Sequence, residues 1–289
     1  MNHTLRGAVS RCLYSCAAAD PENHMLSVSR FRAESEKLPR PFDGFRILLL
    51  SDLHGRTYGR ENTRLLRKIE TEKPDLVAVT GDVIDRSVLD CGVFLRLAEK
   101  IAPKYPVYFV MGNHELYLDP QARRDFLDRL GTLGVRVLDN ESAVLERGGS
   151  RVTLYGLWYP LKYYREARGV PGGHRKFGPE QMRAVLGACA GDGYSILLAH
   201  NPIDFDTYAA WGADLTLSGH VHGGMIRLPL LGGLLSPERR FFPEYCAGLY
   251  EKEGKKLLVS RGLGSGIFSL RIGNRPELVT VTLTRPETP

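Results

Sequence analysis

From Phe45 onward the chain alternates short continuous apolar runs with stretches whose apolar positions recur at helical spacing. Ile47 to Leu50 contains no polar residue and leads into Ser51-Asp52-Leu53-His54, which predicts a buried strand opening into a loop. Asn62 is placed to cap a helix through about Glu72, with Leu65, Leu66 and Ile69 on one face, and Pro74 stops it. Leu76 to Val79 predicts the next strand, ending in Thr80-Gly81-Asp82, and a helix follows from about Ser87 to Ile101. Val107 to Met111 predicts a third strand, ending in Gly112-Asn113-His114-Glu115. Strand, helix, strand, helix, strand at these lengths is the rhythm of a sheet with parallel strands.

A helix from Asp119 to Leu130 comes next, then shorter strands at Val135–Val137, Ala143–Glu146 and Val152–Tyr155, with Gly148-Gly149 as a turn. Pro179 opens a helix to about Ala190. Ile196–Leu198 ends at His200, and Leu215–Leu217 ends at Gly219-His220-Val221-His222. Cys246 to Val259, around Gly254, and Leu278 to Leu283 alternate as antiparallel strands do. No repeat and no linker divides the chain, so two stacked sheets with outer helices in one domain over residues 25–289 is the simplest layout. Residues 1–24 read as a tail, and 157–177 as an aromatic and basic insert.

The polar clusters all fall just after apolar strands. In open α/β sheets the carboxyl ends of strands are where ligands bind, because the loops converge there. Asp52, Asp82, Asn113, His200, His220 and His222 are therefore expected to meet in one place, with His54 beside Asp52 if the backbone between them is extended. Asp52 to Asp82 is 30 residues and Asp82 to Asn113 is 31, one strand-helix repeat each. Carboxylate, imidazole and amide donors without a thiolate suit Mn, Fe, Zn, Ni or Co, and this set exceeds what one ion can use. Two ions need a bridging carboxylate, which Asp82 could supply.

Composition narrows the picture only slightly. The 43% hydrophobic and 25% charged residues exclude disordered and fibrous classes. A net charge of +6 favours anionic substrates and falls short of a nucleic-acid footprint. Five scattered cysteines, with Cys12 and Cys16 as free thiols rather than a metal pair or lipidation site, indicate a reducing cytoplasmic setting. Gly7 to Ala19 is too interrupted by Arg11 for a membrane span, and an export signal is the lesser alternative.

With these residues in view, the sequence resembles the calcineurin-like metallophosphoesterases. The resemblance rests on Asp52-Leu53-His54, Gly81-Asp82-Val83-Ile84-Asp85, Gly112-Asn113-His114-Glu115, His200 and Gly219-His220-Val221-His222. Residues 38–53, 217–229 and 259–264 are similar to the YkuE-like bacterial branch. The resemblance implies a four-layer α/β/β/α sandwich with two mixed β-sheets. It implies a first metal held by Asp52, His54 and His222, a second held by Asn113, His200 and His220, and Asp82 bridging the two divalent ions. It also implies cleavage of a phosphoester or pyrophosphate bond by metal-activated hydroxide, with His114 protonating the leaving oxygen, oriented by Asp85 or Glu115.

Substrate is less sharply marked. Trp158, Tyr159, Lys162, Tyr163, Tyr164, Arg165, Arg168, His174, Arg175 and Lys176 could stack a base or clasp a polyphosphate, or form an ordinary surface loop. Leu228 to Leu235 is either core or an apolar lip for peripheral membrane contact. Arg227, Arg261 and Arg271 are candidate phosphate contacts. A phosphorylated small-molecule or lipid-linked substrate is the leading expectation, with a nuclease of the same fold and a non-catalytic scaffold as alternatives.

Overall fold

Ile47 and Leu49 face one side of their strand, Leu48 and Leu50 the other, and all four are fully buried. A strand with both faces covered needs a layer on each side, and the architecture follows from that. The computed structural model describes residues 26–164, 176–191, 193–224, 227–228, 232–233, 243–265 and 271–286. The expected tail, residues 165–175 of the insert and most of Leu228 to Leu235 lie outside them.

In chain order the elements are β1 (Ser27–Glu34), β2 (Arg46–Leu50), α1 (Thr63–Glu72), β3 (Leu76–Val79), α2 (Gly92–Ile101), β4 (Val107–Phe109), α3 (Pro120–Thr132) and β5 (Val135–Val137). They continue with β6 (Ser142–Arg147), β7 (Ser150–Leu157), α4 (Pro179–Leu186), β8 (Tyr194–Ala199), α5 (Phe205–Trp211) and β9 (Leu215–Ser218). The short pair β10 (Arg227–Leu228) and β11 (Gly232–Gly233) precedes β12 (Gly248–Lys252), β13 (Lys255–Val259) and β14 (Glu277–Thr284).

Two six-stranded sheets form, in the orders β1-β14-β2-β3-β4-β5 and β12-β13-β9-β8-β7-β6. Both are mixed. β14 runs antiparallel to β2 and parallel to β1, while β2 through β5 are parallel. Ile47, Leu49 and Val281 of one sheet meet Leu154, Ile196 and Leu217 of the other in a central layer. Leu48, Leu50 and Val79 pack outward on Leu65, Phe94 and Phe126 of α1, α2 and α3. Leu157 and Leu197 pack outward on Met182 and Tyr208 of α4 and α5. The result is the α/β/β/α order that the resemblance implied. Emptying one such position, as in Leu48→Ala, costs about 2–5 kcal/mol.

Several boundaries differ from expectation for local reasons. The second helix begins at Gly92 rather than Ser87, because Val88 and Leu89 both donate to the Asp85 carbonyl and Leu89 turns left-handed at φ 56°. The helix opened by Pro179 stops at Leu186, where Gly187 takes φ 72° and its N–H returns to the Arg183 carbonyl. Asn62 does not cap α1: its Oδ1 accepts from the Tyr58 N–H at 2.8 Å, a loop contact instead. β1 and α5 were not anticipated. β1 is an edge strand, largely half-exposed, and the seven residues of α5 are too few to show helical periodicity.

Candidate metal centre

The loops after β2, β3 and β4 of one sheet meet those after β8 and β9 of the other at a common edge. Asp52, His54, Asp82, Asn113, His200, His220 and His222 are all at most 9% exposed there. His54 Nε2 lies 3.2 Å from His222 Nε2, and His222 Nε2 lies 3.6 Å from Asp52 Oδ1. His200 Nε2 lies 3.2 Å from His220 Nδ1 and 3.1 Å from Asp82 Oδ2. Asp82 Oδ2 is also 4.0 Å from His54 Nε2, so it stands between the two clusters. Asp52–His54–His222, Asp82–His200–His220 and His54–Asp82–His114 each bring three donor atoms within 4.8 Å of one another.

Two imidazole nitrogens facing each other must share a proton or meet on a cation, and two such pairs occur side by side. Asn113 Oδ1 is buried with no hydrogen-bond partner among the described residues, which is costly unless a cation answers it. The borderline donor set and these orphaned lone pairs fit divalent transition-metal ions.

Backbone contacts aim the candidate ligands. His200 Nδ1 lies 2.6 Å from the Thr80 carbonyl, which places its proton there and leaves Nε2 free toward Asp82. Asp82 Oδ1 accepts the His114 N–H at 2.7 Å and so presents Oδ2. Asp52 accepts the His220 N–H at 3.1 Å and the Ser51 hydroxyl at 2.6 Å. Asp52, His54, Asp82, His220 and His222 all occupy the left-handed region, with φ between 47° and 69°. The expected extended Asp52–His54 geometry is therefore absent, and a tight loop brings both side chains inward instead. Strain of this kind persists only where surrounding contacts over-determine it. Gly112 shows the tightness: a Cβ there would lie 2.6 Å from the Asp82 backbone nitrogen.

Burial opposes charge on the Asp82 carboxylate, but His200, His114 and His54 overcome it and hold the group well below the usual range. Burial likewise opposes the His200 cation, and Asp82 overrides that to raise the imidazole to about 9. His222 is driven well below its ordinary value by burial and then by His54 and Arg271.

The description of calcineurin-like phosphoesterases matches residues 45–224. The chain is 30% identical over 265 residues to a metallophosphoesterase of Aquifex aeolicus, covering 91% of this chain and 93% of that one. The chain belongs to the calcineurin-like phosphoesterases. It is also 28% identical to the metallophosphoesterase YkuE of Bacillus subtilis, over 91% of this chain and 87% of that protein. The phosphodiesterase YaeI of Escherichia coli is 29% identical, over 83% of this chain and 82% of its own.

This phosphoesterase is thus a metal-dependent hydrolase of phosphoester bonds, and its remaining site residues sort by what they touch. His114 Nδ1 accepts the Arg86 N–H at 3.0 Å, so its proton resides on Nε2, 3.8 Å from Asp82 Oδ2. Burial lowers this imidazole to about 4 against the pull of Asp82, which keeps it neutral. Neither expected orienting carboxylate acts on it by hydrogen bond: Asp85 accepts from the Ser87 N–H at 2.7 Å and from its hydroxyl. Glu115 instead accepts the N–H groups of Asp82, Val83, Ile84 and Gly112 at 2.9, 2.8, 3.4 and 2.7 Å. Burial and the nearby Asp82 push Glu115 up to about 7, against the bonds from Asp82 and Gly112.

The arginines hold loops. Arg261 pairs with Glu277 at 3.0 Å and donates to Ser27, and Arg227 reaches the Gly223 carbonyl at 3.4 Å. Arg271, 1% exposed, donates to the carbonyls of Arg261, Gly262 and Gly264. Sequence reasoning missed Thr80, Arg86 and Asn274, whose Nδ2 donates to the His222 carbonyl at 2.6 Å. Each acts through or upon a backbone group, which leaves no compositional signal. The Tyr164 ring, from the aromatic insert, packs 5.3 Å from the His220 ring.

Proposed function

We propose that this chain is a dinuclear phosphohydrolase that cleaves a phosphoester or pyrophosphate bond of a small phosphorylated molecule. The observation that carries the reading is the pair of facing imidazole contacts with the Asp82 carboxylate between them. Asp52, His54 and His222 would hold one ion, Asn113, His200 and His220 the other, with Asp82 shared. The chemistry such a pair supplies is screening of phosphoryl charge and acidification of water. Manganese is the first metal to test.

The protein's own contribution is placement. Asp82 and His200 fix each other, and main-chain groups lock Asp52, Asp82 and His200 in single orientations. His114 directs its Nε2–H into the cluster, where it would donate to the departing oxygen of the ester. With its ring neutral, His114 would give that oxygen a hydrogen bond rather than a transferred proton, and one such donor contributes about 10²–10³-fold.

For the substrate, the lipid-linked reading has a specific support. Val88 (72% exposed) and Leu89 (39%) are adjacent exposed apolar side chains on the loop after β3 that also carries Arg86. An amphiphile whose apolar part rests on these side chains fits a cytoplasmic enzyme working at a membrane surface. No helix among the described residues is long and apolar enough to cross a membrane.

The test is Asp82→Asn with elemental analysis and turnover of bis(p-nitrophenyl) phosphate in added Mn²⁺. Both metal content and turnover should fall sharply, because each ion loses a ligand. Full occupancy with retained activity would overturn the dinuclear reading. Screening phospholipid-like against nucleotide-linked esters on the unaltered protein separates the substrate classes.

A further inference from the structure

The two ion positions differ in what stands behind their ligands. At the second position, His200 has the Thr80 carbonyl against Nδ1 at 2.6 Å. That acceptor holds the proton on Nδ1 and frees Nε2 for a cation. Behind Asp82 lies Glu115, fully buried, whose two oxygens accept only from N–H groups, as an ionised carboxylate does. It ties the loops that carry Asp82 and Asn113 to each other and turns only acceptor oxygens, with no donor, toward this position.

At the first position the polarity is reversed. His222 Nε2 faces His54 and Asp52, so its Nδ1 would have to carry the proton when Nε2 is a ligand. The group against that Nδ1, at 3.5 Å, is the Arg271 guanidinium, itself a donor. Two N–H groups would then point at each other. Arg271 is 1% exposed, and its Nε and Nη2 donate to carbonyls of the Arg261–Gly264 loop rather than to a carboxylate; the one carboxylate that acts on its charge is Asp52, a candidate ligand of this same position. Its place is fixed, because the loop it staples lies flat on the Asp52 strand end. Leu263 N–H donates to the Ser51 carbonyl at 3.0 Å, and a Cβ on Gly262 would come within 2.7 Å of Asp52 Cβ.

We infer that the two positions are unequal: Arg271 makes Asp52–His54–His222 the weaker, exchangeable ion position, and Asp82–Asn113–His200–His220 fills first. This rests on the dinuclear reading above. Arg271 here is a positioning residue and a fixed charge, with no contact to substrate required.

The experiment is calorimetric titration of chelator-stripped full-length protein with Mn²⁺, with bound and free ion counted by electron paramagnetic resonance. The unaltered protein should show two steps whose dissociation constants differ by at least about tenfold. His200→Ala should delete the tight step, and His222→Ala the weak one. Arg271→Gln keeps a donor for the loop carbonyls and removes the charge. It should tighten the weak step several-fold and leave the tight one in place, whereas Arg271→Lys should preserve the gap. If Arg271→Gln does not fold by near-ultraviolet circular dichroism, the two histidine variants decide the matter alone. Two equal steps, loss of the tight step in His222→Ala, or an unchanged weak step in folded Arg271→Gln would overturn the inference. A single step of one ion per chain in the unaltered protein would overturn the dinuclear reading itself, and this inference with it, whereas a single step of two ions means two equal positions and overturns the inference alone.

Discussion

The two halves of the centre are organised by opposite devices. On the Asp82 side a buried carboxylate, Glu115, gathers main-chain N–H groups from two loops. On the His222 side a buried guanidinium, Arg271, gathers main-chain carbonyls from one loop. Each solves the same problem, since loops bent into left-handed conformations leave backbone groups that helices and strands cannot satisfy. The choice of charge has a consequence beyond satisfaction. Glu115 turns only acceptor oxygens toward its half, whereas Arg271 places a fixed positive charge beside the candidate ligand His222. Structural staples in a metal centre therefore also set its electrostatics.

The sharpest way to break this comparison is Glu115→Gln. The amide keeps one acceptor oxygen but turns an NH₂ toward N–H groups, so a destabilisation of about 3 kcal/mol is expected. Chemical unfolding measures that, and metal analysis should show the second position emptied first. A variant of unchanged stability and full metal content would mean that Glu115 is not the organiser of its half.

His114→Gln tests the same half with less damage, because the histidine lies beside Asp82 at 3.8 Å and the glutamine keeps a donor there. Both ions should stay bound while turnover of alkyl phosphoesters falls by about 10²–10³-fold. Nitrophenyl esters, whose leaving group needs little help in carrying its charge, should lose much less. Equal losses on the two ester types would remove the donor role from His114.

The smallest effect separates the halves by pH in metal-free protein. His200 is raised to about 9, so its stabilising contribution is complete below the ordinary imidazole value near 6.5 and is lost as pH rises through 9. His222 is lowered, so the folded state resists its protonation and stability falls as pH drops below about 6.5. Melting temperature should therefore decline on both flanks, with His200→Asn flattening the alkaline flank and His222→Asn the acid one. Added Mn²⁺ should flatten the alkaline flank in the unaltered protein, since ligation replaces the proton. An alkaline flank that persists in His200→Asn would show that another group titrates there.

Much of the molecule was legible before any coordinates. The unbroken apolar runs at Ile47–Leu50 and Leu76–Val79 demand strands covered on both faces, and Asp52 and Asp82 at their ends follow from the regular strand-helix spacing. The candidate ligands and their order along the chain were visible for that reason. β1 was not, because an edge strand that is largely half-exposed carries no continuous apolar signal.

Hydrophobic pattern and residue chemistry determined which positions are buried and which side chains can bind a metal, since those properties belong to each residue and its near neighbours. Partner choice does not. That Glu115 would hold the backbone 31 to 33 residues earlier, rather than orient His114, depends on how closely Gly81 and Gly112 approach. That Arg261 would pair with Glu277, and Arg271 face His222, depends on β14 lying beside β2 and bringing its leading loop to the site. Only the folded sheets decide which backbone groups are left wanting a partner, and those groups claimed the charged side chains.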